Sequence, residues 1–246
     1  LDWDVAQILN WNDTTPLYLI RNGNSNCRIV IADDADTNET MAAQDLQKFV
    51  KTSTGVTLEI MKESASVSSG KYIYLGATEA SKRAGITPSV EQTMNNGFRM
   101  VRIGDHLYLR GYTSIGTRNS VYEFLTRYFG YDYYALDEIY VAKTEKVAVY
   151  DLDEVVNPSF DWRTANYGWA VWDTNTAAQM QMNQAPEFYI NGWDCHYSYD
   201  IVSPVTYDYT NDRYKDWFAP RVVSTNGGSN EPVQLCYSNE EMAETY

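Results

Sequence analysis

Residues 116–130, "GTRNSVYEFLTRYFG", decide the fold class. Val121, Phe124, Leu125, Tyr128 and Phe129 recur at helical spacing, and Gly130 is the stop that a helix C-terminus favours. The glycine turn "GYTSIGT" (111–117) leads into this helix from "GFRMVRIGDHLYLRG" (97–111), which reads as a hairpin turning at Gly104-Asp105, with Phe98 and Met100 on one face. Further upstream, "CRIVIA" (27–32) is a short β-branched run, a strand. "DDADTNETMAAQDLQKFVKTSTG" (33–55) is a helix. Asp36 caps it, Glu39 stands where a capping box needs it, and Ala42, Leu46, Phe49 and Val50 form the apolar stripe. "VTLEI" (56–60) and "KYIYLG" (71–76) add two strands. The order is strand, helix, strands, hairpin, helix. It predicts an α/β sandwich, one mixed sheet with helices packed on a face, ending near residue 150.

Composition narrows the function classes. The 246 residues carry 19 Lys+Arg against 33 Asp+Glu, a formal net charge of −14. Such a surface repels phosphate backbones and anionic lipid, which argues against nucleic-acid and membrane-surface roles. No run of about 18 apolar residues appears, so no membrane insertion is expected. The chain opens on Leu1-Asp2-Trp3, which reads as a mature or cut form. The three cysteines, Cys27, Cys195 and Cys236, show neither C-x-x-C nor any other zinc spacing, so no metal or cofactor is expected and the redox setting stays open. Tyrosine is abundant, 21 residues against 7 Phe, and there are 7 Trp. A ring with an apolar face and a polar edge suits a sugar, whose C–H faces stack and whose hydroxyls hydrogen-bond. The crowding of such rings after residue 160 suggests a carbohydrate ligand there.

Several motifs are decoys. "DADTNE" (34–39) mimics a calcium loop, but Glu39 takes the place of the glycine and Asp45 that of the last glutamate. It lies over a helix start, so capping is the simpler role. "GYTSIGT" lacks both G-x-G-x-x-G and a Walker lysine, and reads as a tight turn. His106 falls at the hairpin turn and is expected to be exposed. "NDT" and "NET" fit the glycosylation pattern, which matters only in a eukaryotic secretory host. No serine sits in a nucleophile elbow.

The character changes after residue 151, giving expected domains at 1–151 and 152–246. Residues 152–158 read as an extended crossing. "FDWRTANYG" (160–168) then reads as a first strand with its loop, "NTAAQMQMNQ" (175–184) as a helix stopped by Pro186, and "PVQLCYS" (232–238) as a strand. "NEEMAETY" (239–246) starts a helix capped by Ser238 or Asn239.

"GTRNSVYEFLTRYFG" resembles a segment of the small α/β accessory domain that precedes the catalytic barrel in family 20 hexosaminidases and family 67 α-glucuronidases. The elements before it follow the same order, and "NPSFDWR" (157–163) is similar to the lead-in to the first barrel strand of such enzymes. The second part resembles family 4838, a bacterial carbohydrate-active family of unknown function. "YKDWFAPRV" is similar to its H-P-E-W-F-A segment, with Tyr214-Lys215 in place of His-Pro, and "PVQLCYSNEEM" to its Q-L-C-x-S-N-P-E segment. "GWDCHYSYDIVSP" is similar to its G-x-x-H stretch, which implies that His196 lies on an early loop at the carboxyl face of a TIM-type β/α barrel.

The resemblance implies an α/β fold: an α+β accessory sandwich followed by the first part of a barrel. It implies the N-terminal portion of a secreted or cell-surface bacterial glycoside-hydrolase-like protein, acting on glycans that contain uronic acid or N-acetylhexosamine. The partners are then a carbohydrate ligand and the remainder of the barrel. Cleavage needs two carboxyl groups about 5 to 9.5 Å apart. A complete barrel takes about 250 residues, and fewer than one hundred follow residue 158. The catalytic pair is therefore expected outside this chain, which is then inactive alone. The alternative is a non-catalytic carbohydrate-binding or adhesion module. Four residues are the candidate substrate contacts. Arg163 could grip a hydroxyl or a uronic carboxylate bidentately, or be paired with Asp161 or a later acid. His196 could contact a sugar or brace its loop. Trp193 and Trp217 could stack on sugar faces or pack.

Overall fold

The computed structural model describes residues 15–66, 69–135, 138–160, 163, 174–182, 202, 206–208, 210–218 and 235–245. The chain divides into two compact units, Leu1–Gln184 and Ala185–Tyr246.

The first unit is a mixed α/β fold. β1 (Leu17–Arg21) pairs antiparallel with β9 (Lys146–Val149), outside the main sheet. The main sheet takes β2 (Cys27–Ile31), β3 (Ile60–Lys62), β4 (Lys71–Leu75), β5 (Phe98–Ile103), β6 (His106–Gly111) and β10 (Asp153–Val156), in the order β10-β5-β6-β4-β2-β3. The pairs β2–β3, β2–β4 and β4–β6 are parallel, while β5 runs antiparallel to β6 and β10 to β5. A separate hairpin joins β7 (Asp132–Ala135) to β8 (Glu138–Tyr140). The stretch read as an extended crossing at 152–158 thus holds the edge strand β10. The sheet runs past residue 151 because Val155 and Val156 find ladder partners in Arg99 and Phe98.

The two long helices are α1 (Thr37–Thr54) and α4 (Ser114–Phe129). Between them lie the short α2 (Glu79–Arg83) and α3 (Val90–Thr93), and α5 (Thr174–Gln179) follows β10. α1 and α4 share one core with a single sheet face: Ala42, Leu46, Phe49 and Val50 from α1 meet Val121, Phe124, Leu125 and Phe129 from α4, over Ile29, Ile73, Leu107 and Leu109. Strand parity sends the alternate residues Val30, Tyr72, Tyr74, Val101 and Tyr108 to the opposite face, under Ile86.

The caps behave largely as their residues dictate. Asp36 accepts the Glu39 N–H at 2.9 Å, and Gly55 and Gly130 close α1 and α4 in the left-handed conformation. Glu39 does not complete the expected capping box. Its Oε1 accepts the Ala77 N–H instead, tying α1 to the end of β4. Burial, the largest influence, pushes the Glu39 carboxyl up. At "GYTSIGT" the backbones press together: a Cβ on Gly116 would lie 2.4 Å from the Gly97 carbonyl oxygen. The glycine is there for close packing, and Thr113 caps α4 by accepting the Gly116 N–H. His106, expected to be exposed, is half-buried. It stacks on Tyr72 with ring centroids 5.7 Å apart, and its Nδ1 is buried without a partner. Burial lowers its pKa.

In the second unit, Val202, Trp217, Phe218, Leu235 and Met242 form a small core. Phe218 makes an antiparallel bridge to Leu235, which lies in the stretch 232–238 expected to be a strand. α6 (Glu240–Thr245) starts at Asn239, whose Oδ1 accepts the Met242 N–H at 3.0 Å. That meets the expected cap.

Candidate functional site

The described residues that line a cavity of about 560 Å3 all belong to the first unit. Three groups of residues wall it: Asn96 and Phe98 at the start of β5; Asn119 on α4 with Tyr131 and Tyr133 after it; and Val156, Pro158, Ser159, Phe160 and Arg163 with Gln179–Gln181. Its size falls in the range of small-ligand sites. Asp132 is the one carboxylate among the described lining residues.

The near wall is held in place by many bonds. Asn119, 3% exposed on α4, donates from Nδ2 to the Asn96 carbonyl at 3.0 Å. Thr113 Oγ1 donates to the Asn95 carbonyl at 2.6 Å, and Asn157 Nδ2 to the Gln92 carbonyl at 2.7 Å. Gly97 leaves no room for a side chain: a Cβ there would stand 2.1 Å from the Thr93 carbonyl oxygen. These contacts hold Met94 at φ +51°, ψ −165°, a conformation unfavourable for a residue with a side chain.

The far wall ends in a second unfavourable conformation. α5 closes with the Gln181 N–H on the Ala178 carbonyl and the Met182 N–H on the Ala177 carbonyl, a Schellman closure. The left-handed position is Gln181, φ +52°, where glycine is the usual residue. Strain of this kind costs on the order of 1 kcal/mol or more. Arg163 fastens the turn: its Nε donates to the Gln181 carbonyl at 2.9 Å and its Nη1 to the Phe160 carbonyl at 2.6 Å. Arg163 therefore spends two of its donors shaping the wall it lines.

A buried charge cluster links the helices. Arg118, 3% exposed on α4, donates to Asp45 Oδ2 on α1 at 3.0 Å and to Asn175 Oδ1 on α5 at 3.2 Å. The Tyr122 hydroxyl also donates to Asp45 Oδ2, at 2.6 Å. Burial and then Asp45 push the Tyr122 phenol well above its ordinary range. With two donors already on one oxygen, Asp45 is placed as a structural partner.

Of the four sequence candidates, Arg163 lies in the cavity wall. Trp217 is 3% exposed in the core of the second unit, stacked on Tyr207 at 5.0 Å and edge-on to Tyr214 at 5.0 Å, a packing position. Trp193 and His196 lie outside the described residues, as do Cys195 and Pro186. Arg163 and Trp217 belong to different units. Asn96, Asn119, Phe160, Gln179 and Gln181 were not singled out in the sequence. Their only signal there is an amide-rich run, since left-handed Gln181 breaks the glycine rule that would have marked it.

No protein-family profile matches the chain, and no curated protein matches it. Solved structures do. A family GH20 β-N-acetylhexosaminidase from Streptomyces coelicolor A3(2) is 17% identical over 62% of this chain and 25% of its own, with a TM-score of 0.42. A family GH115 4-O-methyl-α-glucuronidase with specificity for decorated arabinogalactans is 14% identical over 68% and 25%, with a TM-score of 0.45. A GH20 exo-β-N-acetylglucosaminidase from Vibrio harveyi is 12% identical over 56% and 17%, with a TM-score of 0.35. The chain thus spans about a quarter of the first two enzymes.

Proposed function

We propose that this chain is the N-terminal portion of a glycoside-hydrolase-like carbohydrate-active protein, related to the bacterial family 4838. Residues 1–151 are its accessory domain, and residues 152–246 begin a β/α barrel whose remainder completes the enzyme. The observation that carries this reading is the placement of residues 116–130. The segment on which the accessory-domain resemblance rests is the helix α4, laid beside α1 on one face of a mixed sheet and closed by Gly130. The cavity fits the same reading as a site that holds rather than cuts. Glycoside cleavage uses two carboxyl groups across the bond, and among the described residues Asp132 is the carboxylate that lines it. A secreted or cell-surface bacterial setting belongs to the proposal.

The test is turnover. The 246-residue chain is expected to leave 4-nitrophenyl N-acetyl-β-glucosaminide and 4-nitrophenyl α-glucuronide intact, and a longer parent to hydrolyse one of them. Release of nitrophenol by this chain would put the acid pair inside it and overturn the placement. A second reading, a non-catalytic carbohydrate-binding module, is favoured by the cavity itself. It predicts saccharide binding with no turnover by any longer form.

A further inference from the structure

We propose that the cavity beside α4 is a binding site for a neutral saccharide of one or two rings. The inference rests on the carbohydrate reading above and adds the ligand's charge and position. Four primary amides line the cavity: Asn96, Asn119, Gln179 and Gln181. Asn119 donates to a backbone carbonyl, but among the described residues its Oδ1 takes no donor, and the side-chain amides of Asn96, Gln179 and Gln181 make no hydrogen bond. An amide presents a donor and an acceptor side by side, which matches vicinal hydroxyls and carries no charge. Phe160, 73% exposed, gives the same cavity an open ring for the C–H face of a pyranose.

Charge argues for a neutral ring over a uronic acid. The cation of the wall, Arg163, has two donors on main-chain carbonyls, and Asp132 adds a negative charge to the lining. The net charge of −14 repels anionic glycans as a whole. Strain argues for a purpose. Glycine at 181 would close α5 without cost to the turn, yet a glutamine is held there in the left-handed conformation, with its side chain in the cavity wall. Strain maintained by surrounding bonds concentrates at ligand sites.

The test is isothermal titration of the full chain with methyl β-glycosides of glucose, galactose, xylose and N-acetylglucosamine, and with glucuronate. At least one neutral glycoside is expected to saturate, with a Kd around a millimolar. Gln181→Gly relieves the turn and removes one amide. It is expected to keep or raise the melting temperature while weakening binding about fivefold, the size of a lost hydrogen bond. Phe160→Ala, a change at an exposed ring, should weaken it by a similar factor. The proposal is overturned if no neutral glycoside saturates, if glucuronate binds more tightly than all of them, or if either variant binds like the natural chain. Nitrophenol release by a longer parent is scored separately. A parent that cleaves while this chain fails to bind removes only the cavity, and a chain that binds beside an inactive parent removes only the enzyme reading.

Discussion

The two faces of the six-stranded sheet solve burial in different ways. Beneath α1 and α4, the strands present Ile29, Ile31, Ile73, Leu75, Leu107 and Leu109, side chains that ask only to be packed. On the other face the same strands present Tyr72, Tyr74 and Tyr108, and Tyr74 stacks on Tyr108 with centroids 5.1 Å apart. A phenol ring supplies apolar area, but its hydroxyl must reach water or a partner. The aliphatic face can therefore be sealed by long helices. The tyrosine face is covered by the short α2 and Ile86, and burial raises the pKa of Tyr74 to about 12. Aliphatic burial makes stability that is indifferent to pH; phenol burial makes stability that depends on it.

The largest expected effect lies on the helix face. Phe124 is fully buried between α4 and the sheet, and Phe124→Ala should cost about 3–5 kcal/mol, read as a drop in the urea midpoint at unchanged slope. Tyr108→Ala on the opposite face should cost less, because that ring keeps 6% exposure. Equal losses would mean that both faces are sealed alike.

Next comes the charge cluster between the helices. Asp45→Asn leaves Arg118 buried at 3% exposure without its counter-charge, and breaking such a pair costs about 3 kcal/mol or more. The double change Asp45→Leu with Arg118→Met should recover most of it, since neither charge is then stranded. If the single change costs under about 1 kcal/mol, the cluster is wetter than its burial implies. Measurement is again by urea unfolding.

How much of this was legible in the sequence follows from periodicity. The stripe Val121, Phe124, Leu125 and Phe129 repeats at one period over about two turns, and strand alternation separates Ile73 and Leu75 from Tyr72 and Tyr74, so sheet, helices and faces could be read. Partners distant in sequence could not. Glu39 stood three residues after a cap, the local signature of a capping box, yet its carboxylate goes to Ala77, which only the fold brings near. Asp153–Val156 looked like a connector because an edge strand needs one partner, and β5 lies 50 residues upstream in the fold's own order. The cavity was the least legible of all. Its amides come from residues 96, 119, 179 and 181, and no spacing rule joins them. Arg163 was found because a lone arginine near a predicted strand end draws notice; its work on the Gln181 carbonyl was invisible.

The pH dependence reaches both faces. Tyr74 and Tyr108 on the tyrosine face, and Tyr122 and Tyr131 in the core beneath the helices, all have phenols raised chiefly by burial. A group whose folded pKa exceeds its unfolded value lends stability that is complete below the unfolded pKa and is lost as pH rises through the folded one. Stability should therefore hold up to about pH 10, the ordinary tyrosine value, and fall toward pH 12. Tyr74→Phe should flatten that fall while changing stability at pH 7 by under about 1 kcal/mol, because a ring of the same shape remains. A fall that is just as steep in the variant would move the linkage to other residues.

The smallest effect belongs to the sheet edge, and it separates two explanations of why β10 stays there. Arg99 grips Asp153 with Nε and Nη2 at 2.9 and 2.8 Å, a bidentate pair, and it raises the arginine pKa while lowering that of the aspartate. Both side chains are substantially solvated, so the pair contributes about 0.2–1 kcal/mol and is screened by salt. The ladder from Asp153–Val101 to Val156–Phe98 and the Asn157 bond to Gln92 are not screened in this way. Arg99→Ala should thus lower stability by less than about 1 kcal/mol in low salt and by almost nothing in 1 M NaCl, with amide exchange at Glu154 and Val156, the residues in hydrogen-bonded register with Met100 and Phe98, unchanged. If the variant instead releases the Glu154 and Val156 amides to fast exchange, the charge pair and not the ladder holds β10, and the wall of the cavity that begins at Val156 would loosen with it.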